Sequence, residues 1–198
     1  MKKINCFLFL SLLFSIAMAQ QPAQPKTVSA DAAFSEALNK VVQDYTSNFI
    51  HIQGEKLPAD VNAATYKSKV CVPGASGCKV MRYRSEQDKS ASWQAALYEG
   101  ENFNEAVKFY KKVFSQVKKA SVKGVATTAA GFDGKLETPD ENVGFATSTL
   151  RLKTTNKTYK DLVAEVEISG NITGWEVRLN VYTKKIIEEE KEELDGRQ

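Results

Sequence analysis

Apolar residues recur at helical spacing from Phe103 through Ala106, Val107, Tyr110, Val113 and Phe114 to Val117, so Asn102 to Lys119 predicts an amphipathic helix with one buried face. Asn102 stands at the N-cap position, and Glu105 three residues on completes an Asn-headed capping box. At about 1.5–3 kcal/mol per large side chain, covering that face is worth roughly 10 kcal/mol, an upper bound because unfolded chains are already partly compact. A second helix is predicted from Ser29 as N-cap, with Phe34, Ala37, Leu38, Val41, Val42 and Tyr45 on one side.

Elsewhere the period is two. Phe49–Gln53 alternates and predicts a strand, with Ile50 and Ile52 on one side and His51 on the other; Leu57–Thr65 reads as a loop. Tyr66–Val72 and Cys78–Arg84 predict a hairpin around Pro73–Gly77, with Cys71 and Cys78 at facing positions where a disulfide fits. Closing so short a loop is worth about 2.5 kcal/mol. Trp93, Ala95 and Leu97 alternate as a strand leading into the central helix. After it come weak β character over Val125–Phe132, a turn at Asp133–Gly134 and a break at Thr138–Asp140. Phe145–Lys153, the run from Leu162 to Ile168 and the run from Trp175 to Val181 then predict a meander with one dry and one wet face.

The predicted fold class is α+β: two amphipathic helices packed on one face of a mainly antiparallel sheet, with a short C-terminal helix in a charged tail from about residue 184. The order of elements resembles the pseudo-symmetric TBP-like folds, which implies a pseudo-duplicated α-β4 unit. It also resembles the helix-on-sheet plan of type III secretion chaperones. Both likenesses concern element order, and fold does not confer function.

Lys2 and Lys3, the apolar run Phe7–Ile16 and Ala17–Met18–Ala19 predict a signal peptide of bacterial type over residues 1–19, cleaved after Ala19. Residues 20–27 then form a flexible leader and 28–198 a single domain. Taking Lys2 and Lys3 from the 27 basic residues leaves 25 against 24 acidic ones, a net charge of +1. Such a balance gives no nucleic-acid footprint. No later stretch approaches the ~20 apolar residues of a transmembrane segment, so none is expected in the mature chain. Of three cysteines Cys6 leaves with the signal, and Cys71 and Cys78 remain for an oxidising compartment, periplasmic or extracellular.

Catalytic chemistry finds little material. His51 is the single histidine, and a triad of Ser47, His51 and Asp44 would need a spatial meeting that no motif announces. No metal motif is present; Asp133, Glu137, Asp140 and Glu141 would suit Ca²⁺ as hard oxygen donors but read as a solvated acidic loop. With six residues between them, Cys71 and Cys78 are structural, not a thiol redox pair. Catalytic residues, cofactor-binding residues and metal ligands are therefore assigned to no position. Two sequons, at Asn156 and Asn171, fit surface turns.

Two binding features stand out. Lys108, Lys111, Lys112, Lys118 and Lys119 form a cationic helix face suited to an anionic partner, against the plainer reading of a solubilising face. Trp93, Phe103, Tyr110, Phe114 and Trp175 supply aromatic surface for an apolar pocket, against the plainer reading of core. The sequence thus points to an exported, non-catalytic binding or interaction module, its partner an envelope protein, an anionic glycan or an apolar small molecule. The alternatives are a carboxylate-dependent hydrolase and a structural envelope-assembly partner.

Overall fold

A computed structural model of the chain describes residues 29–58, 63–83, 90–125 and 129–184; the expected signal peptide, leader and charged tail lie outside the described residues. Helix α1 (Ala30–Asp44) starts where Ser29 accepts the Ala32 N–H, and α2 (Phe103–Lys119) starts where the Asn102 side chain accepts the Glu105 N–H at 3.1 Å. Both caps are local interactions, satisfying backbone N–H groups that lack intrahelical partners. The strands are β1 (Gln53–Lys56), β2 (Ala63–Ser68), β3 (Gly77–Tyr83), β4 (Ala91–Gly100), β5 (Ser121–Val122), β6 (Ala130–Gly134), β7 (Phe145–Leu152), β8 (Leu162–Asn171) and β9 (Gly174–Thr183). The fold is α+β with an antiparallel sheet of nine strands, ordered β1-β2-β3-β4-β9-β8-β7-β6-β5. Strands β4 and β9 meet at its middle, each the end of its own meander.

Register divides the sheet into two faces. Trp93, Ala95, Val177, Leu179, Val181, Val166 and Ile168 are buried in one core cluster that includes Phe34, Leu38 and Val41 of α1 and Tyr110, Val113 and Val117 of α2. Helix α2 lies against β4, β9, β8, β7 and β6, and α1 beside α2 and β5. The polar atoms of two large core side chains are paired. The Tyr110 hydroxyl meets that of Ser148 at 2.6 Å, and the Trp93 indole N–H donates to the Ser68 hydroxyl at 3.0 Å.

Four expectations are corrected. The stretch Leu57–Thr65 is not loop throughout, because its last three residues, from Ala63, already pair with β3 as the start of β2. Phe49–Gln53 does not form a strand: Asn48 and Phe49 take left-handed φ of 55° and 59°, Ile50 is exposed while Phe49 and Ile52 are buried, and β1 begins only at Gln53. The buried Asp44 carboxylate causes this, because it accepts the N–H groups of His51 and Ile52, both at 3.0 Å, and curls the segment into a turn. Asp133–Gly134 is not a turn but the end of β6. A Cβ on Gly134 would come within 2.3 Å of the Thr149 carbonyl oxygen, so glycine there permits close strand approach. Finally, Cys71 and Cys78 are bonded, with Cα atoms 5.4 Å apart, but they do not face one another in the ladder. The β2–β3 pairing ends at Lys67 opposite Lys79; Ser68 then bonds with Val70 and turns the chain aside, so the disulfide closes the loop beyond the last rung.

Candidate functional site

The alternation that buries Trp93 and Leu179 sends the intervening side chains to the other face. One row across it runs Lys67, Lys79, Gln94, Asn180, Glu165, Thr149, and the next runs Gly77, Ala96, Arg178, Glu167, Thr147. No helical residue lines either of the pockets described below, so this is the uncovered face of the sheet among the described residues.

Its two halves differ electrostatically. Toward β8 and β9 the carboxylates are shielded and matched. Glu165, whose side chain is 13% exposed, accepts from the Tyr182 hydroxyl at 2.9 Å and the Thr149 hydroxyl at 3.1 Å, with Lys184 at 3.7 Å. Glu167 faces Arg178 at 3.7 Å, and Glu176 accepts from Arg178 and, at 3.1 Å, from Asn171. Burial, followed by the bond to Glu165, pushes the Tyr182 phenol well above its ordinary range. On this face the hydroxyls of Ser92 and Thr147 are enclosed without a hydrogen-bond partner among the described residues.

Toward β2 and β3 the charges are unmatched. Lys67 and Lys79 stand directly opposite each other on adjacent strands, and among the described residues neither makes an ion pair or hydrogen bond through its ammonium group. Like charges on facing strand positions destabilise a sheet. They border an open pocket of about 440 Å³ that Ser76, Gln94, Glu99 and Arg178 also line, beside the disulfide-closed loop. A second pocket of about 370 Å³ continues from Glu99 to Glu101, Trp175 and Glu176.

The residues singled out from sequence are distributed as follows. Cys71 and Cys78 close the loop at the first pocket's rim, where Cys78 is a lining residue. All five helix lysines are exposed. Lys118 bonds Asp133 at 3.4 Å and the Gly134 carbonyl at 3.2 Å, Lys112 lies 5.8 Å from the Phe109 ring centre, and Lys108, Lys111 and Lys119 make no ion pair among the described residues. Trp93, Tyr110 and Phe114 are buried in the core cluster; Phe103 and Trp175 stack at its margin with ring centres 4.6 Å apart.

His51 and Asp44 do meet, at 2.5 Å between Nδ1 and a carboxylate oxygen. Ser47 joins that turn through its backbone carbonyl, which accepts the Ile50 N–H. With the other Asp44 oxygen taken by two backbone N–H groups, this arrangement caps a turn. The acidic loop is spread out: Asp133 is held by Lys153 and Lys118, which lower its pKa, and Asp140 accepts from Asn142. No group of three or more metal-ligating side chains gathers among the described residues. Asn171 of the second sequon is engaged with Thr173 and Glu176, and Asn156 of the first caps a 3-10 turn.

Sequence reasoning missed the Lys67–Lys79 pair, because it becomes visible only when the register of β2 against β3 is known. Comparison with protein-family models, curated proteins and solved structures finds no match for the chain.

Proposed function

We propose that this chain is a non-catalytic binding module, exported to the periplasm or beyond, that docks an envelope protein on the uncovered face of its sheet, with an acidic side chain of the partner seated between Lys67 and Lys79. The observation that carries this reading is the pair itself: two directly opposed ammonium groups without a counter-charge among the described residues, bordering an open pocket. A carboxylate placed there relieves a repulsion the fold otherwise tolerates. The half-buried carboxylates of the same face are engaged by donors, which does not favour the hydrolase alternative. Exposed Val143, Phe145 and Ile172 lie at strand ends and turns in the interior of the sheet order, which does not favour edge-to-edge envelope assembly. The disulfide suits export, and no described helix is long and apolar enough to cross a membrane. The meeting at β4 and β9 of two helix-led meanders, of four and five strands, supports reading the fold as a pseudo-duplicated α-β4 unit with one strand added in the second half, which leaves one sheet face uncovered.

Titration with a fluorescein-labelled hexaglutamate peptide tests the reading. Binding is expected at an ionic strength of about 0.01 M and weakening at about 0.15 M. It should be lost in the Lys67→Ala/Lys79→Ala double variant and kept when Lys108, Lys111 and Lys112 are changed to Glu. Absence of binding at low ionic strength overturns the reading. So does binding that follows the helix lysines.

A further inference from the structure

The uncovered face carries a second opposed pair of like charges. Glu99 of β4 stands directly across from Glu176 of β9, and the two point into the same run of pockets as Lys67 and Lys79. Arg178 and Asn171 occupy the Glu176 carboxylate, whereas Glu99 and the neighbouring Glu101 have no hydrogen-bond or ion-pair partner among the described residues. Glu99 belongs to both pockets, so the cationic and acidic ends form one continuous groove. Asn171 and Thr173 also line the acidic end, while the Trp175 ring turns to the helix-covered face against Phe103.

The spacing is fixed by β4. Lys79 faces Gln94, and Glu99 is five residues further on, with a bulge between Ala96 and Tyr98 shortening the path. At about 3.3 Å per residue, the two ends are about 15 Å apart. An extended peptide shows side chains on one side only at even separations, and four residues span about 13 Å.

Resting on the docking reading above, we infer that the groove selects its partner by polarity: an extended segment with an acidic residue over Lys67 and Lys79 and a basic residue four positions away over Glu99 and Glu101. Each unmatched pair repels one sign of charge and attracts the other, so a segment with two acids meets a penalty at Glu99 that a bipolar segment does not. Free small anions satisfy only one end.

Ten-residue labelled peptides in a Ser/Thr background provide the test, by fluorescence anisotropy at low ionic strength on the full chain. The acid-to-lysine peptide at i, i+4 is expected to bind at least about fivefold more tightly than the doubly acidic peptide or the one with spacing i, i+5, a ratio set by about 1 kcal/mol per matched surface charge. Glu99→Lys should invert the preference toward the doubly acidic peptide. Circular dichroism on that variant confirms that the fold persists; should it not, Glu99→Gln is to bring the two affinities together. Equal affinity of the unsubstituted protein for bipolar and doubly acidic peptides overturns the polarity inference and leaves acidic docking standing. Absence of binding by every peptide overturns both.

Discussion

The two halves of the uncovered sheet face have the same pleat and a similar supply of charged residues, yet they treat charge in opposite ways. On β7, β8 and β9, Glu165, Glu167 and Glu176 lie under neighbouring side chains and each is answered by donors from adjacent strands. On β2, β3 and β4, Lys67, Lys79 and Glu99 are left unanswered among the described residues, and the two lysines face each other. Shielded carboxylates must be matched, because an unpaired buried charge is costly; exposed ones are forgiven by water. The first half therefore uses charge to hold strands together. Charge left over in the second half is available to something outside the chain, and the disulfide at its rim supplies rigidity that a matched network would otherwise give.

The largest effect expected from breaking this contrast is loss of the disulfide. Cys71→Ala with Cys78→Ala should lower stability by about 2.5 kcal/mol in a urea melt, following the entropy of closing so short a loop. Acidic-peptide binding should weaken with it, since β3 carries both Cys78 and Lys79. Unchanged binding in the destabilised variant would separate the rim from the site.

Next in size is the contrast between two glutamates of one face. Glu165→Ala leaves the Tyr182 and Thr149 hydroxyls without their acceptor and should cost about 2 kcal/mol, whereas Glu99→Ala should stay within about 0.5 kcal/mol of the parent. Equal costs would erase the distinction drawn between the halves.

That distinction lay beyond the sequence for a definite reason. Elements determined by neighbours along the chain were legible: Ser29 and Asn102 cap their helices, and alternation marks β4, β8 and β9. Elements determined at a distance were not. Phe49–Gln53 alternates like a strand, but the Asp44 carboxylate, seven residues before His51, captures its N–H groups. Asp133–Gly134 has hairpin composition, yet it pairs with Arg151 and Leu150 of a strand beyond the next turn. Placing Cys71 opposite Cys78 would set Lys67 against Arg82, three residues from its true partner Lys79. An odd shift also exchanges the faces of the sheet, so the site vanishes from view.

A smaller effect appears at high pH. Tyr182 is raised from the ordinary 10.0, first by burial and then by its bond to Glu165, and Tyr110 is raised by burial. Above about pH 10 the unfolded chain gives up these protons while the folded chain keeps them. Their contribution to stability is therefore complete below pH 10 and declines as pH rises beyond it. Tyr182→Phe should make that alkaline decline shallower, as followed by urea midpoints between about pH 9 and 11. An unaltered slope would mean that the matched half does not hold the phenol proton as described.

The smallest effect is the most discriminating. Lys79→Glu replaces an opposed like-charge pair with an opposed unlike one, so it should raise stability by about 0.5 kcal/mol, most at low salt. The same change cancels the net positive charge to which the partner's acid is assigned, so acidic-peptide binding should fall as stability rises. A site kept for binding is expected to show this opposition, because a residue retained against the interest of the fold must serve another interaction. If Lys79→Glu instead lowered stability, Lys67 and Lys79 would be satisfied within the chain, and the two halves of the face would differ in appearance only.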